Sequence, residues 1–143
     1  MCRMLTLKSG HDAGFTLLEL LVVMVIIGLL AGLVGPRYFA QVGKSQTKTA
    51  RAQIEGLEQA LEQFRIDVGR FPTTAEGLQS LTATPAGELA WAGPYLKKAV
   101  PNDPWGRAFV YQEPGTHGEI DIVSYGKDGR PGGAGDNVDV TNW

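Results

Sequence analysis

Two stretches of the 143-residue chain carry side chains whose type and spacing could do chemistry. The first is residues 124–139, SYGKDGRPGGAGDNVD. Asp128, Asp136 and Asp139 supply hard oxygen donors there, and the glycines let backbone carbonyls converge. Calcium takes roughly 6–8 oxygens in flexible geometry, a requirement that carboxylates mixed with carbonyls can meet. The spacing is not that of an EF-hand loop, and one copy of Gly132-Gly133-Ala134-Gly135 is not a calcium-binding repeat. A solvated turn is the other reading of the same composition. The second stretch is residues 15–35, FTLLELLVVMVIIGLLAGLVG, where Glu19 stands in an otherwise apolar run. A carboxylate at the centre of a bilayer-spanning helix costs about 2.5–3.5 kcal/mol, so such a residue is expected to have a role and a partner. No cation lies within the segment. Cleavage after Gly14 would free the amine of Phe15, one helical turn before Glu19, and a neighbouring copy could present the same amine. Pairing of Glu19 with that amine is one expectation; a protonated or snorkelling glutamate without a partner is the other. Ser124, His117 and Asp121 could suggest a hydrolytic triad. Strand neighbours at that spacing point to different faces, however, and no nucleophile elbow is present. Neither a Walker A spacing nor an HExxH motif occurs.

The elements that must position these groups begin with the apolar run. Roughly 20 residues of helix cross a bilayer, and residues 15–35 are long enough. Their apolar character runs all round, unlike a core helix with one buried stripe. Arg3 and Lys8 precede the segment, with His11 and Asp12 nearer its start, and positive residues on that side favour a cytoplasmic N-terminus. The remainder would then lie outside the cytoplasm. Ala31 and Gly35 make a poor site for ordinary signal cleavage, which falls after the apolar core; here Gly14 precedes it. The 13 basic and 15 acidic residues give a net charge of −2 and no dominant basic patch, so nucleic acid is not an expected partner. The one cysteine, Cys2, cannot form an internal disulfide.

The run Gly14-Phe15-Thr16-Leu17-Leu18-Glu19, behind a short basic leader, resembles the processing site of type IV pilins and type II secretion pseudopilins. The resemblance implies cleavage between Gly14 and Phe15 by the prepilin peptidase and N-methylation of Phe15 by the same enzyme. It also gives Glu19 and Pro36 roles in assembly. In that family a proline at this position is associated with local melting of the helix in the filament. By its own chemistry, Pro36 removes one helix hydrogen bond and predicts a kink, a local melt or a simple boundary.

Past Pro36 a helical pattern resumes. Ile54, Leu57, Leu61, Phe64 and Val68 recur every three or four residues, with Glu55, Glu58, Gln59, Glu62 and Arg65 on the other side. This predicts an amphipathic helix that ends near Gly69. Lys44, Lys48 and Arg51 make its upstream part more polar, available to neighbouring copies. Val22, Ile26, Leu30 and Leu33 are expected to pack helix on helix in a fibre, and to face lipid before assembly. Thr73 and Glu76 have capping-box spacing and predict a short helix through about Leu81. Trp91 is expected to anchor the following loop, and Asp103 to bond local backbone in the turn 101–106. Residues 108–112 and 120–124 alternate as strands, and residues 138–141 predict a third. His117 falls in the turn between the first two and is expected at the surface. A small antiparallel sheet packed on the amphipathic helix makes an α+β module.

The segments FPTTAEGLQSL, GPYLKKAVPNDPWGRAFVY, PGTHGEIDIVSYGKDG and VTNW narrow the resemblance to the major pseudopilins of type II secretion. General type IV pilins share only the N-terminal part and often carry a C-terminal cysteine pair, which this chain lacks. The resemblance implies a type IV pilin-like fold in four parts: a leader at 1–14, a transmembrane and assembly helix at 15–35, an amphipathic helix at 36–69 and a globular periplasmic region at 70–143. It implies a structural calcium held by Asp128, Asp136 and the Tyr125 carbonyl, with carbonyls of Arg130 and Asn137, and with Asp139 as a further donor. It implies a homopolymer rather than an enzyme, anchored in the inner membrane. Its expected partners are minor pseudopilins, the prepilin peptidase, an inner-membrane assembly platform and ATPase, and an outer-membrane secretin. A type IV pilin for adhesion or motility is the alternative.

Overall fold

The computed structural model of the chain describes residues 14–143. Cys2, Arg3, Lys8, His11, Asp12 and the other residues before Gly14 lie outside the described residues. One long helix, α1, runs Leu17–Val68, and its helical assignment continues through Pro36. The chain divides into two compact units, one ending at Tyr38 and the other spanning Phe39–Trp143.

In the first unit, Leu17–Gly35 is 19 residues long, reaches a mean hydropathy of 2.9 and has no buried residue. Val22, Ile26, Leu30 and Leu33 are all exposed. Length and composition suit a bilayer span.

The second unit builds its core on the other part of α1. Ala50, Ile54, Leu57, Leu61 and Phe64 are each at most 1% exposed, a stripe at alternating spacings of four and three. That spacing keeps one face of a 3.6-residue helix inward. Phe71, Leu78, Leu81, Phe109, Tyr111, Ile120, Ile122 and Val140 complete the core. Three antiparallel strands, β1 (Val110–Gln112), β2 (Asp121–Ser124) and β3 (Val140–Thr141), form a sheet in that order. Tyr111 sits opposite Ile122, and Ser124 opposite Val140, so these four buried residues share one face, with buried Asp121 on the other. β1 starts later than the alternation predicts. The chain first leaves a tight turn in which Asp103 N–H donates to the Arg107 carbonyl at 2.7 Å.

The Thr73–Glu76 box forms reciprocally. Thr73 N–H donates to Glu76 Oε2 at 2.8 Å and Glu76 N–H to Thr73 Oγ1 at 3.2 Å. It closes a single turn, in which Gly77 N–H returns to the Thr73 carbonyl at 2.9 Å, and opens no helix because Gly77 itself takes φ +62°. The helical turn is a short 3-10 segment, Leu78–Leu81. Arg70 grips Glu76 with both terminal nitrogens, at 2.7 and 2.9 Å, and reaches Glu88 at 3.2 Å. Trp91 is half-buried, and its Nε1–H donates to the Ser80 carbonyl at 2.8 Å.

Two predictions follow from this packing. In denaturant melts of the detergent-solubilised full chain, Leu61→Ala should cost about 2–5 kcal/mol, whereas Ile66→Ala, at an exposed position, should stay within about 0.5 kcal/mol. The Arg70 hydrogen bonds, then the Thr73 N–H, lower the Glu76 carboxyl to about 2 from an ordinary 4.5. A depressed folded pKa contributes stability above the unfolded value and loses it as pH falls through the folded one. Stability should therefore decline as pH falls from 4.5 towards about 2, and Glu76→Gln should flatten that decline in melts across the window.

Candidate functional site

The N-terminal site is local. α1 opens with a second reciprocal box that the sequence reading overlooked. Thr16 N–H donates to Glu19 Oε2 at 3.0 Å, and Thr16 Oγ1 lies 3.2 Å from the same oxygen. In return, Glu19 N–H donates to Thr16 Oγ1 at 3.2 Å. Two otherwise orphaned donors at the helix start are thereby satisfied. The signal was present: Thr16 and Glu19 have the spacing recognised at Thr73 and Glu76. Within its own chain, then, the acid in the apolar run is held by the first turn of its helix. Gly14 and Phe15 lie just before that turn, both exposed.

The C-terminal loop is held at several points. The Tyr125 carbonyl accepts the Gly129 N–H at 3.1 Å, and the Asp136 carbonyl accepts the Lys127 N–H at 3.0 Å. Asp128 Oδ1 accepts the Arg130 N–H at 3.2 Å, and Asp139 Oδ2 the Gly132 N–H at 2.8 Å. The Asp136 carboxylate lies against Gly43 of α1, where any Cβ would overlap it. Asp128, Asp136 and Asn137 line one cavity with Lys127 and Ala134. Tyr125 and Asp139 line another, on the side of Val123, Thr141 and Trp143. Asp139 Oδ1 is buried without a hydrogen-bond partner. Among the described residues no three His, Cys, Asp or Glu side chains gather as a metal cluster. The donor chemistry around the first cavity nevertheless suits calcium. Two carboxylate residues and an amide share its rim, and carbonyls or water can complete a flexible oxygen shell.

The triad residues separate. Ser124 Oγ donates to Asp103 Oδ2 at 2.6 Å, while Asp103 Oδ1 accepts the N–H groups of Trp105 and Arg107 at 3.1 and 2.8 Å. His117 Nδ1 lies 3.0 Å from Asp121 Oδ2, and its ring stacks on Trp143 with centroids 3.8 Å apart. Burial opposes ionisation of Asp121, but hydrogen bonds from the His117 side chain and from the Thr116 and His117 N–H groups outweigh it. Its carboxyl is held below the ordinary range. With Ser124 committed to Asp103, the pair aligns no nucleophile and instead fastens the C-terminus. Asn142 adds to that fastening, accepting the Ile122 N–H at 2.8 Å and donating to Glu58 at 3.0 Å.

Comparison with known proteins addresses the whole of this arrangement. Residues 37–143 match the model of the type II secretion system protein G family. The chain belongs to that family. Residues 10–35, which contain Gly14, Phe15 and Glu19, match the prokaryotic N-terminal methylation motif. The chain is 38% identical to the type II secretion system core protein G of Pseudomonas aeruginosa, over 96% of this chain and 99% of the relative. It is 39% identical to that of Vibrio cholerae, over 95% and 94%, and 42% identical to that of Escherichia coli K12, over 94% and 93%. Among solved structures, it resembles the major pseudopilin from the type 2 secretion system of enterohaemorrhagic Escherichia coli. The TM-score is 0.61 at 31% identity, covering 73% of this chain and 92% of that one. The protein G fold is thus type IV pilin-like: a long N-terminal helix with a small three-stranded antiparallel sheet. In this protein G-family chain the methylation motif and the family match abut on either side of Pro36.

Proposed function

We propose that the chain is the major structural subunit of a type II secretion pseudopilus and not an enzyme. One observation carries the reading. No residue of Leu17–Gly35 is buried in its own chain, whereas Phe39–Trp143 has a closed core of its own. An all-round apolar helix needs either lipid or copies of itself. The precursor sits in the inner membrane with its globular part in the periplasm, consistent with the basic leader. Prepilin peptidase cuts between Gly14 and Phe15 and methylates Phe15. Copies then stack as a homopolymer by a repeated head-to-tail contact, which generates a helical fibre. The apolar helices pack inward, Pro36 adjusts the helix in the filament, and Glu19 exchanges its Thr16 cap for the Phe15 amine of an adjacent copy. Minor pseudopilins join the fibre, and an assembly ATPase and membrane platform supply the energy. The fibre helps to push folded proteins through an outer-membrane secretin.

Calcium fits the same reading as a structural ion of the C-terminal loop. Asp128 and Asp136 would hold it, with carbonyl oxygen from Asn137 and Arg130; Tyr125 and Asp139 line another cavity and would add donors only on turning towards the ion. A bound ion supplies positive charge to a loop whose carboxylates otherwise repel one another.

Mass spectrometry of the membrane-extracted chain tests the class. A mature N-terminus at Phe15, one methyl heavier than the cleaved peptide, is expected; an intact leader in cells with a working peptidase would refute it. Glu19→Ala should still be processed yet enter sheared fibres at least tenfold less, and normal incorporation would remove the pairing. For calcium, binding to the folded state alone is worth about 2.7 kcal/mol at a hundredfold excess over Kd. EGTA should therefore lower the melting temperature, and an unchanged melt would count against the ion.

A further inference from the structure

We propose that Arg107 is a positioning residue for the C-terminal loop: its guanidinium serves as a built-in cation for the carbonyls of Gly126 and Lys127 and orders the first half of the loop before any metal binds. Arg107 Nη1–H donates to the Gly126 carbonyl at 2.9 Å and Nη2–H to the Lys127 carbonyl at 3.1 Å. Two successive carbonyls aimed the same way repel each other unless a cation lies between them. The planar fork of an arginine meets both, which a lysine cannot do with the same geometry. The backbone is shaped to receive it. Gly129 has φ +68°, and a Cβ there would lie 2.6 Å from Arg107 Nε and 2.7 Å from Cζ. The guanidinium therefore rests on bare backbone, and a residue with a side chain would displace it.

The arginine is aimed from behind by the core. Its N–H donates to Asp103 Oδ1 at 2.8 Å, and its carbonyl accepts the Asp103 N–H at 2.7 Å. Asp103 is 5% exposed and takes the Ser124 hydroxyl of β2 on its other oxygen at 2.6 Å. A central strand, a buried carboxylate and a tight turn thus fix the base of the Arg107 side chain.

The loop consequently has two halves with different needs. Residues 125–129 are closed by Arg107 and by the Gly129 to Tyr125 hydrogen bond. Residues 132–139 are tied mainly by their own backbone and by Asp139, whose Oδ1 is buried and unpaired. A cation held by Asp128 of the ordered half and Asp136 of the other would fasten the second half to the first, so the order of the second half is what depends on it. This division rests on the calcium reading for residues 132–139 only; the action of Arg107 does not.

Hydrogen–deuterium exchange of the full chain in detergent, with calcium and with EGTA, separates the two anchors. In the unaltered chain, EGTA should deprotect residues 132–139 and leave 125–129 protected. Arg107→Gln should speed exchange of the Gly129 amide about tenfold or more in both conditions, as the loss of charge-assisted hydrogen bonds implies. Arg107→Lys, which can hold one carbonyl at a time, should fall between. By calorimetric titration with calcium alone, Arg107→Gln should raise Kd severalfold, while its EGTA-treated melting temperature shifts little, because the core is untouched. Unaltered exchange at 125–129 in Arg107→Gln would overturn the proposal, as would release of that segment by EGTA in the unaltered chain. Residues 132–139 indifferent to EGTA, with 125–129 still dependent on Arg107, would sustain the arginine anchor and reject the calcium reading.

Discussion

Apolar side chain that cannot leave water is the constraint on which this molecule turns. Covering a large apolar side chain is worth about 1.5–3 kcal/mol. From Ala50 to Phe64, α1 gains that term on one face, by packing against the sheet, the 3-10 turn and Phe71. From Leu17 to Gly35 it gains none of it within the chain. The same helix therefore has one part that folds a domain and another that needs a surrounding. In the function proposed, lipid would meet that need first, and neighbouring copies would meet it in a fibre. Glu19 fits this scheme because its carboxylate is not left bare: the Thr16 box satisfies it while the chain is alone.

Most of the architecture was legible because it rests on patterns with short range. The four-three spacing of Ile54, Leu57, Leu61 and Phe64 marked the buried face, and the alternation at Phe109, Tyr111, Ile120 and Ile122 marked the sheet. The ends of the strands and the nature of the helix near Leu81 were not legible. They depend on contacts that the pattern does not carry, such as the Asp103–Arg107 turn and the closure of Gly77 on Thr73. The Thr16–Glu19 box has the same spacing as Thr73 and Glu76 and was legible on that ground, although a lone carboxylate in an apolar run points first to a partner outside the chain.

The loop shows the same division between local and distant information. Its glycines and aspartates announced a turn rich in oxygen donors. Which of those donors share a cavity could not be read, because Tyr125 and Asp139 turn to one side and Asp128, Asp136 and Asn137 to the other. The partners that decide this come from afar in sequence: Gly43 of α1 against Asp136, and Arg107 against Gly126 and Lys127. The stacking of His117 on Trp143 likewise joins a turn to the chain end, a pairing that no periodicity predicts.

Copy-to-copy contact through the bare helix is the central claim, and it can be observed directly. The sole cysteine, Cys2, precedes Gly14 and would leave with the leader on the proposed cleavage, so a single cysteine placed at Ile26 or Leu30 would be unique in the processed chain. Sheared fibres from cells carrying the secretion machinery, treated with a short bifunctional thiol reagent, should give a covalent dimer, the largest product that one thiol per copy allows. Cells lacking the assembly ATPase should give monomer. Monomer alone from intact fibres, probed at several positions along Leu17–Gly35 in cells that still secrete, would contradict the account.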